Sequence, residues 1–130
     1  MNGLHYKVKF PIHPRIKERA ERICKEFQLS NIELIGPQSY FEFLSLLKSS
    51  KGIVTDSGGV QTEASVLNVR AVTLRPTTEH EPSITYGTNT LCNDIDRIQE
   101  ILDTPKQTVP CRYWDGTASV NIAQIIKEKL

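Results

Sequence analysis

Apolar residues recur along this chain in two patterns, one typical of strands and one typical of helices. Near the start they alternate with polar residues, which is the period of a strand with two unlike faces. From Pro14 onwards they recur every three or four residues, along one face of a helix. The strand positions are Tyr6, Val8, Phe10 and Ile12, and the helix positions are Ile16, Ala20, Ile23, Cys24 and Phe27. Pro11 predicts that this strand ends there or lies at a sheet edge.

The same succession of strand and helix is predicted again further along. Short apolar strands are expected at residues 32–35, 52–54 and 71–74, with a last one within 87–91. Ser39 and Glu42 match a capping box, and Asp94 matches the N-cap of a later helix. The apolar helix faces are Tyr40, Phe43, Leu44 and Leu47; Val60, Ala64 and Leu67; Ile95, Ile98, Ile101 and Leu102; and Ala118, Ile122, Ile125, Ile126 and Leu130. Polar residues 77–82 predict a loop, residues 105–110 a linker, and Asp115-Gly116-Thr117 a turn.

Alternating strands and helices predict an α/β fold. Right-handed βαβ crossovers give a parallel sheet covered by helices on both faces, which is a three-layer αβα, Rossmann-like architecture. The length of 130 residues predicts a single domain over residues 1–130. In such a sheet, ligands bind outside the carboxyl ends of the strands.

Composition excludes several function classes. Charged residues make up 24% and the net charge is +1, so no overall field favours nucleic acid or an anionic membrane as a partner. No apolar run approaches the roughly 20 residues of a membrane span, and no signal-peptide core is present. The three cysteines, Cys24, Cys92 and Cys111, are irregularly spaced, which fits reduced thiols rather than disulfides or a zinc site. These features predict a cytoplasmic domain without a metal or cofactor.

The turn Asp56-Ser57-Gly58-Gly59 is the strongest candidate for chemistry. It joins a predicted buried strand to a helix, and its glycines leave the first helical amides uncovered. Free N–H groups at the positive end of a helix dipole form an anion site, most often for phosphate. Glu63 follows one turn later, where a carboxylate can accept hydrogen bonds from a ribose diol. The alternative is a tight connection without a ligand.

Other polar residues follow the carboxyl ends of predicted strands and are expected at the same rim. His13 can contact a phosphate or carry a proton, or it can cap the helix that starts at Pro14. Arg75 can neutralise a diphosphate or form a surface ion pair. Glu79 and His80 belong either to this site or to a solvated loop. Phe43 fits the core or the face of a uracil ring.

Together these motifs resemble a known family. The matching segments are His13-Pro14-Arg15, Pro37-Gln38-Ser39-Tyr40 through Phe43, Thr55-Asp56-Ser57-Gly58-Gly59-Val60-Gln61 with Glu63-Ala64, Arg75 with Thr77-Thr78-Glu79, and Asp115-Gly116-Thr117-Ala118-Ser119. In this order and spacing they look like the C-terminal half of bacterial and archaeal UDP-N-acetylglucosamine 2-epimerases. The resemblance implies one half of a two-domain glycosyltransferase-B-type enzyme, with a UDP-sugar bound between the halves.

The resemblance also implies roles for individual residues. Ser57, Gly58 and Gly59 would hold the diphosphate and Glu63 the ribose hydroxyls. Phe43 would lie against the uracil, and His13 would touch the phosphates near the reacting sugar. Arg75, Glu79 and His80 would complete the UDP site. Two positions depart from the family pattern: His80 replaces the usual phosphate-binding arginine, and Thr62 stands where glutamate is common.

The activity implied is interconversion of UDP-GlcNAc and UDP-ManNAc, used in cell-surface polysaccharide biosynthesis. In the family, the C2 proton is removed, UDP is eliminated and both are re-added, and the acid/base carboxylates lie in the N-terminal domain. This chain is therefore expected to bind UDP but to need a missing N-terminal domain or separate subunit for catalysis. The exposed cleft wall is compatible with self-association, but the sequence does not predict an oligomeric state.

Three alternatives to this function stay open. The first is a non-catalytic nucleotide-sugar sensor or interaction module, and the second is the donor-binding half of a glycosyltransferase. The third is the hydrolysing branch of the epimerases, which releases N-acetylmannosamine and UDP; the non-hydrolysing branch is the one favoured.

Overall fold

The computed structural model describes residues 4–109 and 114–129. Its strands are β1 (Val8–Pro11), β2 (Ile32–Ile35), β3 (Gly52–Thr55), β4 (Arg70–Thr73) and β5 (Asn89–Leu91). Its helices are α1 (Lys17–Glu26), α2 (Tyr40–Lys48), α3 (Gly58–Val66), α4 (Glu81–Thr85), α5 (Ile98–Asp103) and α6 (Ala118–Lys129), with short 3-10 turns at Pro14–Ile16 and Ile95–Arg97. The predicted alternation of strands and helices is confirmed.

All five strands pair in parallel, which confirms the α/β class. Hydrogen bonding divides them into two sheets, β1-β2 and β3-β4-β5, where the sequence predicts one. Pro11 ends β1 as predicted and has no N–H to donate, which is typical of a strand at a sheet edge. In the larger sheet Thr55 lies opposite Thr73, so the segments that follow β3 and β4 begin side by side.

The three-stranded sheet is packed on both faces. Successive side chains of β4 point to opposite sides, and they join two different apolar clusters. Ala71 belongs to the cluster with Leu47, Ala64 and Val69, which α2 and α3 cover. Val72 belongs to the cluster with Cys92, Ile98 and Ile101, which α5 covers. Helices on both faces of this sheet give the predicted three layers.

Two predicted apolar faces are exposed in the structure. None of the residues of α1 and none of the described residues of α6 is buried. Ile23 and Phe27 are 38% and 57% exposed, and four apolar residues of α6 are exposed by more than half: Val120, Ile122, Ile125 and Ile126. Tyr40, predicted on the inner face of α2, is also 57% exposed. A helical period identifies a face that is able to pack, but it does not supply the surface that packs against it.

The prediction of a loop at residues 77–82 is partly wrong. A short helix, α4, begins at Glu81, with Pro82 in its first turn, where a missing N–H costs nothing. Ser83 in this helix is fully buried. Within residues 77–82, Thr78, His80 and Pro82 are partly buried, whereas Thr77, Glu79 and Glu81 are exposed.

The capping box of α2 is confirmed. The Glu42 carboxylate accepts from the Ser39 hydroxyl at 2.6 Å and from the Ser39 N–H at 2.8 Å. These bonds from the hydroxyl and the N–H hold the pKa of Glu42 below its ordinary value. The backbone N–H groups of Ser39 and Glu42 thus have acceptors within the capping box itself.

Candidate functional site

The first turn of α3 lacks the side-chain cap that α2 has. Ser57 occupies the N-cap position with extended backbone, yet its side chain accepts no hydrogen bond from the helix. Its own N–H donates to the Thr55 hydroxyl at 3.1 Å. The amides at the start of α3 are therefore left for an external acceptor, as the sequence predicts.

The two glycines at this tip have different surroundings. A Cβ on Gly58 would lie 2.7 Å from Nε2 of His80 and 2.8 Å from Oε1 of Glu79. A Cβ on Gly59 would meet no atom within 4 Å. The segment after β4 therefore lies close to the Gly58 side of the tip, while the Gly59 side is open.

Charged groups converge beside Gly58. Arg75 Nη1 and Glu79 Oε2 are 3.0 Å apart, and His80 Nε2 lies 3.5 Å from Glu79 Oε1. The pKa of Glu79 is held below its ordinary value, first by a hydrogen bond from its own backbone N–H and then by Arg75. Arg75 thus forms the ion pair that was one of its two predicted roles, and this pair lies next to the tip.

Thr62 and His80, the two positions that depart from the family pattern, are in contact. The Thr62 hydroxyl lies 3.2 Å from Nδ1 of His80. The hydroxyl of Thr62, one turn into α3, therefore helps to orient the imidazole above Gly58. The sequence gives no sign of this pairing, because the two residues are eighteen positions apart.

A buried polar network lies behind the tip. Gln61, Thr73, Ser83 and Asn89 are fully buried, and the side chain of Asn89 is hydrogen-bonded to each of the other three. Sequence reasoning missed this network. The available signal was Gln61, since a polar residue three positions before Ala64 lies on the same buried helix face.

Glu63 lies one turn after Gly59 and therefore on the same side of α3. It is half-buried, and its carboxylate forms no hydrogen bond or ion pair with the residues that the structure describes. A carboxylate with free acceptor atoms at this position suits the predicted ribose contact, which stays a prediction.

His13 and Phe43 are held by other contacts. His13 follows β1 and is exposed, and its Nδ1 accepts from the Arg15 N–H at 3.2 Å, so the capping role is present. Phe43 packs partly buried against the cluster that contains Leu47 and Ala64. No described hydrogen bond joins His13 to the tip of α3, and the roles of both residues towards a nucleotide stay predictions.

The predicted turn at Asp115 and the three cysteines lie away from the tip of α3 in the sequence. The turn at Asp115 is confirmed: its carboxylate accepts from the N–H and hydroxyl of Thr117, and Gly116 has φ +81°. Cys24 and Cys92 are free thiols, whereas Cys111 and Pro110 lie outside the described residues. Over the described residues, no helix has the length and apolarity needed to cross a membrane, and no three metal-binding side chains cluster.

Comparison with known proteins identifies the family. The family model described as UDP-N-acetylglucosamine 2-epimerase matches residues 2–127. The chain is 37% identical over 128 residues to the UDP-N-acetylglucosamine 2-epimerase of Methanocaldococcus jannaschii, covering 90% of this chain and 34% of the relative. It is 35% identical to a UDP-N-acetylglucosamine 2-epimerase homolog of Methanococcus maripaludis, covering 93% of this chain and 36% of the relative.

A solved structure agrees with the sequence comparison. The crystal structure of the M. jannaschii UDP-GlcNAc 2-epimerase in complex with UDP-GlcNAc and UDP matches with a TM-score of 0.70 at 32% identity. That match covers 92% of this chain and 35% of the other. The chain thus spans about a third of the length of the relatives it matches. It belongs to the UDP-N-acetylglucosamine 2-epimerase family.

Proposed function

We propose that this chain is the UDP-binding unit of a UDP-N-acetylglucosamine 2-epimerase. The observation that carries the proposal is the uncapped first turn of α3, open at Gly59 and flanked by Arg75 and His80. Backbone amides with an arginine and a histidine beside them suit a diphosphate. Family membership supports UDP, because a relative's structure contains UDP-GlcNAc and UDP.

Each part of the nucleotide has a proposed partner. Ser57, Gly58 and Gly59 bind the diphosphate through their backbone amides. Glu63, one turn further, accepts hydrogen bonds from both ribose hydroxyls. Phe43 contacts the uracil, as the family resemblance implies, with the part of its ring that the apolar cluster leaves uncovered.

The charged residues take supporting roles in this proposal. Arg75 and His80 neutralise the diphosphate, and Glu79 holds both side chains beside Gly58 through contacts of 3.0 and 3.5 Å. His13 contacts the phosphates near the reacting sugar. A histidine side chain is shorter than the arginine that is usual at position 80 and lacks its two-pronged donor geometry, so we expect weaker phosphate binding than in relatives with arginine.

UDP should raise the melting temperature of the protein, and Glu63→Gln should remove most of that increase. At a UDP concentration of ten times the Kd, binding contributes about 1.4 kcal/mol, a shift of roughly 4–8 °C for a domain of this size. Differential scanning fluorimetry with and without UDP measures it. Glu33→Gln, which neutralises an exposed carboxylate of β2, is the matched control and should keep the full increase. Unchanged melting of the wild type in millimolar UDP contradicts the proposal.

The chain alone should not epimerise UDP-GlcNAc. The family resemblance implies that the acid/base carboxylates lie in the N-terminal domain. This chain spans only about a third of the length of its relatives. Incubation in D2O with UDP-GlcNAc, followed by NMR of the sugar, should show no deuterium at C2. Deuterium should appear when the N-terminal part of a relative is added. Deuterium incorporation by this chain alone would refute the division of labour proposed here.

A further inference from the structure

The hydroxyl of Thr78 connects the buried polar network to the residues beside the tip of α3. It donates to Oε1 of Gln61 at 2.7 Å and accepts from the backbone N–H of His80 at 3.0 Å. Thr78 itself is only half-buried. One hydroxyl group therefore joins a fully buried amide to the main chain of a residue in the candidate site.

Buried hydrogen bonds beyond Thr78 hold Gln61 and the backbone of His80 in place. Asn89 donates from Nδ2 to Oε1 of Gln61 and to the Ser83 hydroxyl, both at 3.0 Å. The Ser83 hydroxyl donates to the carbonyl oxygen of His80 at 2.7 Å. The backbone of His80 is thus held at its N–H by Thr78 and at its carbonyl by Ser83.

Gln61 contributes to the network through its oxygen. Oε1 accepts from both Thr78 and Asn89, whereas Nε2 is buried without a partner among the described residues. A buried N–H without a partner is unfavourable. The two hydrogen bonds that Oε1 accepts offset the cost of leaving Nε2 unpaired. Through Thr78 and Asn89, they also hold the segment that follows β4.

These bonds determine where the imidazole of His80 lies. Its Nδ1 contacts the Thr62 hydroxyl at 3.2 Å, and its Nε2 is 2.7 Å from the place that a Cβ on Gly58 would occupy. The ring is therefore fixed from two directions, by Thr62 through the side chain and by Thr78 through the backbone. Loss of the Thr78 hydroxyl is therefore expected to loosen the backbone that carries the ring.

We propose that Thr78 is a positioning residue of the nucleotide site, whose hydroxyl acts through Gln61 and the His80 backbone to hold the imidazole beside Gly58. The inference rests on the proposed function, because UDP is taken as the ligand. The inference assigns the positioning of His80 to the hydroxyl of Thr78 and not to its methyl group. One variant that removes only the hydroxyl and one that removes only the methyl group therefore test it.

Thr78→Val removes the hydroxyl, and Thr78→Ser keeps it. We expect the valine variant to bind UDP at least about fivefold more weakly by calorimetry and the serine variant to bind within about twofold of the wild type. In a His80→Ala background, Thr78→Val should cause no further loss, because its effect passes through His80. Equal affinities of the wild type and the valine variant, or additive losses in the double variant, overturn the inference.

Two measurements without UDP separate this inference from the proposed function. The NMR signals of the His80 ring should shift in Thr78→Val and stay near the wild type in Thr78→Ser. In the wild type, the His80 amide should exchange with solvent more slowly than the amide of Thr77, an exposed residue of the same segment, a test that needs no variant to fold. If the wild type does not bind UDP but both NMR results hold, only the proposed ligand fails. If the ring signals do not move, or the two amides exchange alike, the positioning role fails.

Discussion

The Gly59→Ala variant should lose UDP affinity about tenfold or more, or 1.4 kcal/mol of binding free energy, while its fold stays at least as stable. The added methyl meets no protein atom within 4 Å, so it creates no clash. Alanine also favours a helix over glycine by up to about 1 kcal/mol. The methyl lies at the open side of the α3 tip, where the diphosphate is proposed to approach the amides. Calorimetric titration with UDP and thermal melting measure the two effects separately.

Val66→Ala is the matched control for this variant. Val66 is the last residue of α3 and is 61% exposed, so its truncation also favours the helix but lies at the opposite end from the tip. The control should bind UDP as the wild type does. Undiminished binding by Gly59→Ala would place the diphosphate away from this turn and remove the main support for the proposed site.

The Ile98→Ala variant should lose about 4 kcal/mol of unfolding free energy, near the upper part of the range for buried isoleucine. Ile98 is fully buried in the cluster with Val72, Cys92 and Ile101, between α5 and the sheet. Removing three carbons there leaves a cavity that the surrounding strand cannot fill. Denaturant unfolding should show a lower midpoint with an unchanged slope.

Ile95→Ala provides the comparison within the same segment. Ile95 is 55% exposed in the turn that precedes α5, and its truncation should change stability by about 0.5 kcal/mol or less. Similar losses in the two variants would mean that the cluster beneath α5 does not exist as described.

Local signals in the sequence were enough to predict the site's scaffold. The apolar run at residues 52–54 and the glycines after it predict a strand, a turn and a helix from residues that are neighbours in the chain. The capping box at Ser39 and the N-cap at Asp94 are equally local, and both are confirmed. The family resemblance agrees with the ribose contact that position alone predicts for Glu63, and this contact stays a prediction.

The parts that the sequence did not predict depend on distant partners. Thr78 and Gln61 are seventeen positions apart, and Asn89 and Gln61 are twenty-eight apart, so no periodicity relates them. The same reason explains why the segment after Thr77 was predicted as a solvated loop. The apolar faces of α1 and α6 show the converse, since a helical period exists there without burial.

Ala71 and Val72, neighbours in β4, pack on opposite faces of the sheet, and this arrangement links the unfolding of the two faces. Each belongs to a different apolar cluster, so neither side of the sheet can lose its packing without displacing the strand that the other side needs. We therefore expect α5 and α3 to melt in one cooperative transition. Unfolding followed at α5, on the face far from the glycines, should then also show the stabilisation given by a nucleotide bound beside them.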